Sequence, residues 1–202
     1  MRYNILNRMY RICKAEEDDM KIEMSDELFL QLTEYANNSD NATDNARRAK
    51  ALGFEQDRKI LVAPGCILRF PKEQAGSNIF FGLYSYVNGN VTIGDNVLIG
   101  PHCSLAAGNH KFDPSTGWFS ARTEKDGDDS IRIGDGCWLA SKVTVTGGVK
   151  MGKANLICAG AVVTKSTPDY AIMAGVPAKQ VGRIDPVTGE YVWFHGKERT
   201  EQ

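Results

Sequence analysis

His110 stands where a rhythm in the sequence breaks. In IGDNVLIGPHCSLAAGNH, residues 93–110, aliphatic side chains fall six residues apart at Ile93, Ile99 and Leu105. From Asn109 the chain runs on as NHKFDPSTGWFSARTEKDGDDS, a polar stretch to Ser130 with no period. A hydroxyl is a poor nucleophile until a base takes its proton. A free imidazole, with a pKa of about 6.5, does so near neutral pH. His110, at the root of a long loop on a repetitive scaffold, has the residue type for such a base; the plainer reading is a turn cap. His102, in IGPHCS, falls at an outward position and reads as a surface residue. Asp113 has the place of a carboxylate that orients the ring, but Asp113-Pro114 is also an ordinary turn signal. Trp118 and Phe119 either cover an acceptor or a neighbouring subunit, or simply pack. No Ser-His-Asp order or nucleophile elbow occurs, and no GxxxxGK[ST] or GxGxxG loop to cradle phosphate.

The scaffold follows from the period. One frame of hexads runs through Phe81, Val87, Ile93, Ile99 and Leu105, and a second from Ile133 through Leu139, Val145, Met151 and Ile157 to Val163. The frames are out of phase, because the step from Leu105 to Ile133 is not a multiple of six. A period of six is neither 2 nor 3.6. Simple strand alternation permits it but does not explain Gly or Ala so often at the second position, where a tight corner needs a small residue. A coil with three short strands per turn does. Position 1 points inward and stacks on its equivalent one turn above. Position 5, at Ser85, Val91, Val97, Cys103, Cys137, Val143, Val149 and Ala161, is a second inward site. Asn155 breaks that pattern, and stacked asparagines can bond one another inside such a coil. Each rung of three hexads buries its apolar face only by stacking, about 4.8 Å from the next. An ordinary β-sandwich with chance periodicity is the competing reading. The pieces ILVAPGCILRF and AGSNIF read as a less regular first rung.

From about Asn78 to Ile184 the chain resembles the hexapeptide-repeat acyltransferases, and within them the maltose and galactoside O-acetyltransferase branch and related polysaccharide acetyltransferases. The motifs that carry the likeness are VTIGDNVLIGPHCSLAAGNH, IRIGDGCWLASKVTVTGGVKMG, ICAGAVVTKS and AGVPAKQVGRI. The resemblance implies a mainly β fold, a left-handed parallel β-helix with an N-terminal helical segment and a long extruded loop. It implies a homotrimer holding acetyl-CoA as co-substrate in a groove between neighbouring coils, with no metal. His110 falls where the relatives have their histidine, five residues after the aliphatic Leu105. The same matching puts Trp138 near the acceptor and Ser141 near the thioester, where its hydroxyl suits a developing oxyanion. It puts Ala159, Thr164 and Lys165 on the pantetheine and phosphate path, and Lys179 at a basic position. Arg183 lies one residue off a second basic position. Cations suit the coenzyme phosphates; the alternative is a solvated surface. The acceptor side departs from the galactoside type: Asn88 stands in place of an Asp, and Phe80 in place of an Asn. Asn88 still bonds a hydroxyl, but donates as well as accepts.

The implied reaction is acetyl transfer from acetyl-CoA to a hydroxyl of a sugar or glycan. Acceptors of another kind, an antibiotic or an amino sugar, fit the same fold. A metal lyase like the γ-class carbonic anhydrases needs three histidines around zinc; here His102 and His110 are eight apart and His195 is remote. A non-catalytic assembly protein is the remaining class. Composition agrees with a chain that binds neither nucleic acid nor an anionic surface, since the 202 residues carry a formal net charge of −1. Five cysteines without CxxC spacing read as reduced thiols in a cytoplasmic protein. MRYNILNRMYRICKAEEDDM has no apolar h-region, and no window approaches the roughly 20 apolar residues of a membrane span. Residues 1–57 read as a helical segment, with acidic residues opening SDELFLQLTEYAN and Gly53 closing DNARRAKALGF. Residues 58–184 read as the coil with its loop at 109–130. Residues 185–202 read as a hairpin and tail turning at Thr188-Gly189, with His195 exposed.

Overall fold

The computed structural model describes residues 25–119 and 128–194; His195 and Cys13 lie outside them. The chain divides into two units, at Asn37 and Asn38. The described part of the first is almost all helix α1 (Asp26–Asn38), which ends one residue past the boundary, with Asp26 and Glu27 in its first turn and no buried residue.

The second unit is built on three parallel sheets that share one rung after another. The first face stacks β1 (Leu61–Val62), β3 (Phe80–Phe81), β6 (Leu98–Ile99), β11 (Trp138–Leu139), β14 (Leu156–Ile157) and β16 (Ala171–Gly175). The second stacks β2 (Ile67–Arg69), β4 (Tyr86–Asn88), β7 (Ser104–Ala106), β12 (Thr144–Thr146) and β15 (Val162–Val163). The third stacks β5 (Val91–Ile93), β10 (Ile131–Ile133) and β13 (Lys150–Met151). One turn of the coil takes three hexads: Phe80 lies on Leu98, Tyr86 on Ser104, and Thr144 on Val162. Leu98 lies on Trp138 and Ser104 on Thr144, each more than twice as far ahead in the chain. That turn therefore holds an excursion beyond its three hexads. Because the length of the excursion is not a multiple of six, the hexad frame restarts out of phase beyond it.

The inward stack is continuous. Val87, Leu105, Val145 and Val163 pair in sequence along the second face, each at most 1% exposed. Burying each such side chain is worth roughly 1.5–3 kcal/mol. The position-5 residues named above are also buried. Asn155 is fully enclosed but meets no second asparagine. Its amide donates to the carbonyls of Pro168 at 2.8 Å and Lys153 at 3.1 Å, and its oxygen accepts from the Thr167 hydroxyl. Stacked asparagines occur instead at an exposed corner, where Asn78 donates to Asn96 at 2.8 Å. Replacing Thr167 by valine strips the Asn155 oxygen of its buried donor. The expected cost is about 1–3 kcal/mol, read from the urea midpoint at fixed protein concentration.

Cys137 fills an inward corner, its thiol donating to the Gly152 carbonyl at 3.1 Å. Burial pushes its pKa from 9.0 up to about 11. The unfolded chain loses that proton first, so this group's contribution is complete below pH 9 and is lost as pH rises towards 11. Stability should fall over that window, and fall less in Cys137→Ala, as pH-dependent denaturation would show.

Before the coil, helix α2 (Ala42–Ala51) is capped at both ends. The Asn41 side chain accepts from the Asp44 amide at 3.0 Å. At the far end Gly53, with φ +90°, donates to Lys50, and Phe54 donates to Ala49, the paired bonds of a Schellman stop. Arg48 fastens the helix to β1 through the Val62 carbonyl at 2.8 Å. The stop delivers Phe54 to Phe70 and Phe81, whose ring centroids lie 5.9–6.2 Å apart in each pairing. After the coil, β17 (Ala178–Ile184) folds back on β16 and β18 (Tyr191–Trp193) on β17, both antiparallel. The four described cysteines are free thiols.

Candidate active site

The excursion leaves the coil at the edge between the second and third faces, and both of its ends are pinned there. At its start, Ala107 donates to the Asn88 carbonyl of the rung below at 2.9 Å. At its end, Gly148 of the rung above donates to Asp129 at 3.0 Å. Asn109 and Asp129 join the two ends by a side-chain bond of 2.9 Å. Gly147 fits closely here: a Cβ on it would lie 3.1 Å from the Gly108 nitrogen and 3.3 Å from the Asp129 oxygen, so that both ends would have to give by a few tenths of an ångström. Lys150 adds an ion pair to Asp128 at 2.8 Å and a bond to the Ser130 carbonyl at 2.7 Å. The Lys150 and Ser130 bonds hold the Asp128 carboxyl well below the usual carboxylate range. His110 follows directly on this clamp and is exposed. Farther out, β8 (Phe112–Asp113) and β9 (Trp118–Phe119) form a small hairpin. The Asp113 carboxylate accepts from the Ser115 amide at 2.8 Å and hydroxyl at 2.6 Å, closing the turn. Those bonds lower its pKa. Trp118 is exposed, and Phe119 meets Phe112 edge to face.

The other candidate residues fall into three places. Asn88, Thr164 and Lys165 lie along the same edge as His110, with Asn88 half-buried and the other two exposed. Ser141 and Ala159 lie along a different edge, between the first and second faces, where Gly160 donates to the Ser141 carbonyl at 2.9 Å. The two edges are separated by the strands of the second face, roughly 10 Å for three residues at about 3.3 Å each. Trp138 lies on the outer first face, 46% exposed, in line with Leu98 and Phe80. Lys179 and Arg183 lie on β17, Arg183 4.0 Å from Asp185, and both are exposed. The sequence reading missed the clamp of Asn109, Asp128, Asp129 and Lys150; the Gly147-Gly148 pair opposite the break was its one visible trace. It also missed the contact of His102, which stacks on Tyr84 with ring centroids 5.4 Å apart. Among the described residues no group of three or more His, Cys, Asp or Glu is placed to hold a metal ion, and no helix is long and apolar enough to cross a membrane.

The second unit is thus a parallel coil of hexapeptide rungs with one excursion, and His110 stands at the root of that excursion. The chain's homologues are named acetyltransferases. The chain is 36% identical over 121 residues to galactoside O-acetyltransferase of Escherichia coli (strain K12), covering 54% of this chain and 56% of that one. It is 30% identical over 131 residues to galactoside O-acetyltransferase of Lactococcus lactis subsp. lactis (strain IL1403), covering 61% of each. The chain thus spans less than two thirds of the length of these relatives. Among solved structures it is similar to a maltose O-acetyltransferase from Clostridium difficile 630, with a TM-score of 0.49 and 25% identity over 79% of this chain and 86% of that one. No family model matches the chain.

Proposed function

We propose that the chain is an acetyl-CoA-dependent O-acetyltransferase acting on a hydroxyl of a sugar or glycan. In this reading the coil is left-handed, the protein is a cytoplasmic homotrimer, and residues 1–57 and 185–202 flank the catalytic coil of 58–184. The observation that carries the reading is the 36% identity to a galactoside O-acetyltransferase. The bonded neck that His110 follows supports its assignment as the base.

His110 takes the proton of the acceptor hydroxyl as its oxygen bonds to the thioester carbonyl carbon. The Ser141 hydroxyl donates to the carbonyl oxygen as it gains charge. The carbon–sulfur bond then breaks, and the imidazolium returns its proton to the departing thiolate. The products are an acetyl ester and a free thiol, with no acyl-enzyme between. A thioester carbonyl must lie within about 3 Å of both its base-activated attacker and its oxyanion donor. His110 and Ser141 of one chain lie on different edges, so each site takes His110 from one protomer and Ser141 from the next. Ala159 and Thr164 line the coenzyme path, and Lys165, Lys179 and Arg183 offset the charge of its phosphates.

One observation favours an acceptor with an apolar body, such as an antibiotic or a substituted amino sugar. Phe80 extends the outward column of Leu98 and Trp138, and Asn88 offers an uncharged amide beside the His110 clamp. The experiment is an acceptor panel read by thiol release from acetyl-CoA. Turnover with at least one hydroxylated acceptor is the expected result; thiol release that no acceptor raises above hydrolysis contradicts the reading.

A further inference from the structure

We propose that Asn109 and Asp129 are positioning residues for acetyl transfer: the bond between their side chains sets the backbone from which His110 springs. The inference rests on the acetyl-transfer reading and adds to it two residues that act through His110, touching neither acceptor nor coenzyme.

β7 ends at Ala106 and β8 begins at Phe112, and residues 107–111 between them belong to no strand. Their path is set by individual bonds. Ala107 is held by the Asn88 carbonyl at 2.9 Å. Gly108 then turns the chain with φ +110°. Asn109 follows, its amide donating to the Asp129 carboxylate at 2.9 Å, and His110 is the next residue. Asp129 is itself fixed. Its carbonyl accepts from Gly148 at 3.0 Å. Its neighbours are both bonded to the Lys150 ammonium, Asp128 at 2.8 Å and the Ser130 carbonyl at 2.7 Å. Lys150 pairs in turn with Arg132 on the third face of the coil. A path of bonds therefore runs from the sheet, through the returning limb of the excursion, to the peptide that carries the imidazole. A catalytic group displaced by about 1 Å loses roughly a hundredfold in rate. The last bond in the path is directional. An amide donates to a carboxylate, so Asp at both places sets two anions against each other, whereas exchanging the two residues restores one donor and one acceptor.

The exchange supplies the test, read by thiol release from acetyl-CoA in the full chain, with a thermal melt of each variant. Asn109→Asp should lower kcat roughly tenfold to a hundredfold and leave the KM for acetyl-CoA nearly constant. Adding Asp129→Asn to the same chain should recover most of the loss. Asn109→Ala removes the bond without the repulsion and should lower kcat in the same direction. In a His110→Ala background, Asn109→Asp should cost nothing further, because it acts through the imidazole already removed. Undiminished kcat in both Asn109 variants overturns the proposal, as does an exchange that recovers nothing. A loss that persists in full without the imidazole overturns it too. When His110→Ala is impaired and the Asn109 variants are not, the proposal alone falls. A wild-type chain that acetylates no acceptor removes the acetyl-transfer reading together with it.

Discussion

Replacing His110 by alanine is expected to lower acetyl transfer by about a hundred- to ten-thousand-fold, the range that a positioned general base supplies. Binding of acetyl-CoA should hardly change, because the coenzyme's proposed contacts lie at Ser141, Ala159, Thr164 and the basic residues. The loss therefore belongs in kcat, with the KM for acetyl-CoA nearly constant. The buried stack of the coil should survive the change, since His110 is exposed and lies outside it. Thiol release with a fixed acceptor, beside a thermal melt of each protein, separates the two effects. A variant that melts like the wild type and turns over like it removes His110 from the mechanism.

The largest expected effect on stability lies near the N-terminal end of the coil, one rung before the one that His110 leaves. Phe81 is fully buried, and its ring packs against Phe54 at 5.9 Å and Phe70 at 6.2 Å. It is an inward residue of the hexad stack and also the platform on which the stop of helix α2 sets Phe54. Phe81→Ala should cost about 3–5 kcal/mol, from lost burial and the cavity left behind. Neighbouring rungs would relax little, because their strands are fixed by hydrogen bonds on both sides. Denaturation at fixed concentration gives the number; a loss below about 1 kcal/mol would mean that the aromatic cluster does not anchor this end.

The coil was legible in the sequence because its cause is local and repeated. Each rung needs the same inward residues at the same spacing, so Val87, Leu105, Val145 and Val163 announce one another. Gly53 was legible for a similar reason, as a helix stop requires its left-handed backbone. The break at His110 could be seen, but not what holds it. Asp128 and Lys150 meet across a rung, and Asn109 and Asp129 across the neck of the excursion. No period links such pairs. Asn155 illustrates the same limit. Its place in the stack was evident, yet its partner is Thr167, in a later corner of irregular length. The assignment of Ser141 and Lys165 to two different edges likewise emerges only when the rungs are stacked.

Subunit complementation tests the central claim most directly. His110→Ala chains, and chains blocked on the coenzyme side by Ser141→Trp, are assayed alone and after co-expression. If each site draws its imidazole and its oxyanion donor from neighbouring protomers, mixed assemblies contain some sites intact on both sides, and their thiol release rises well above that of either variant alone. If activity stays at the level of the two parents, both groups belong to one protomer, and the arrangement proposed for this active site is wrong.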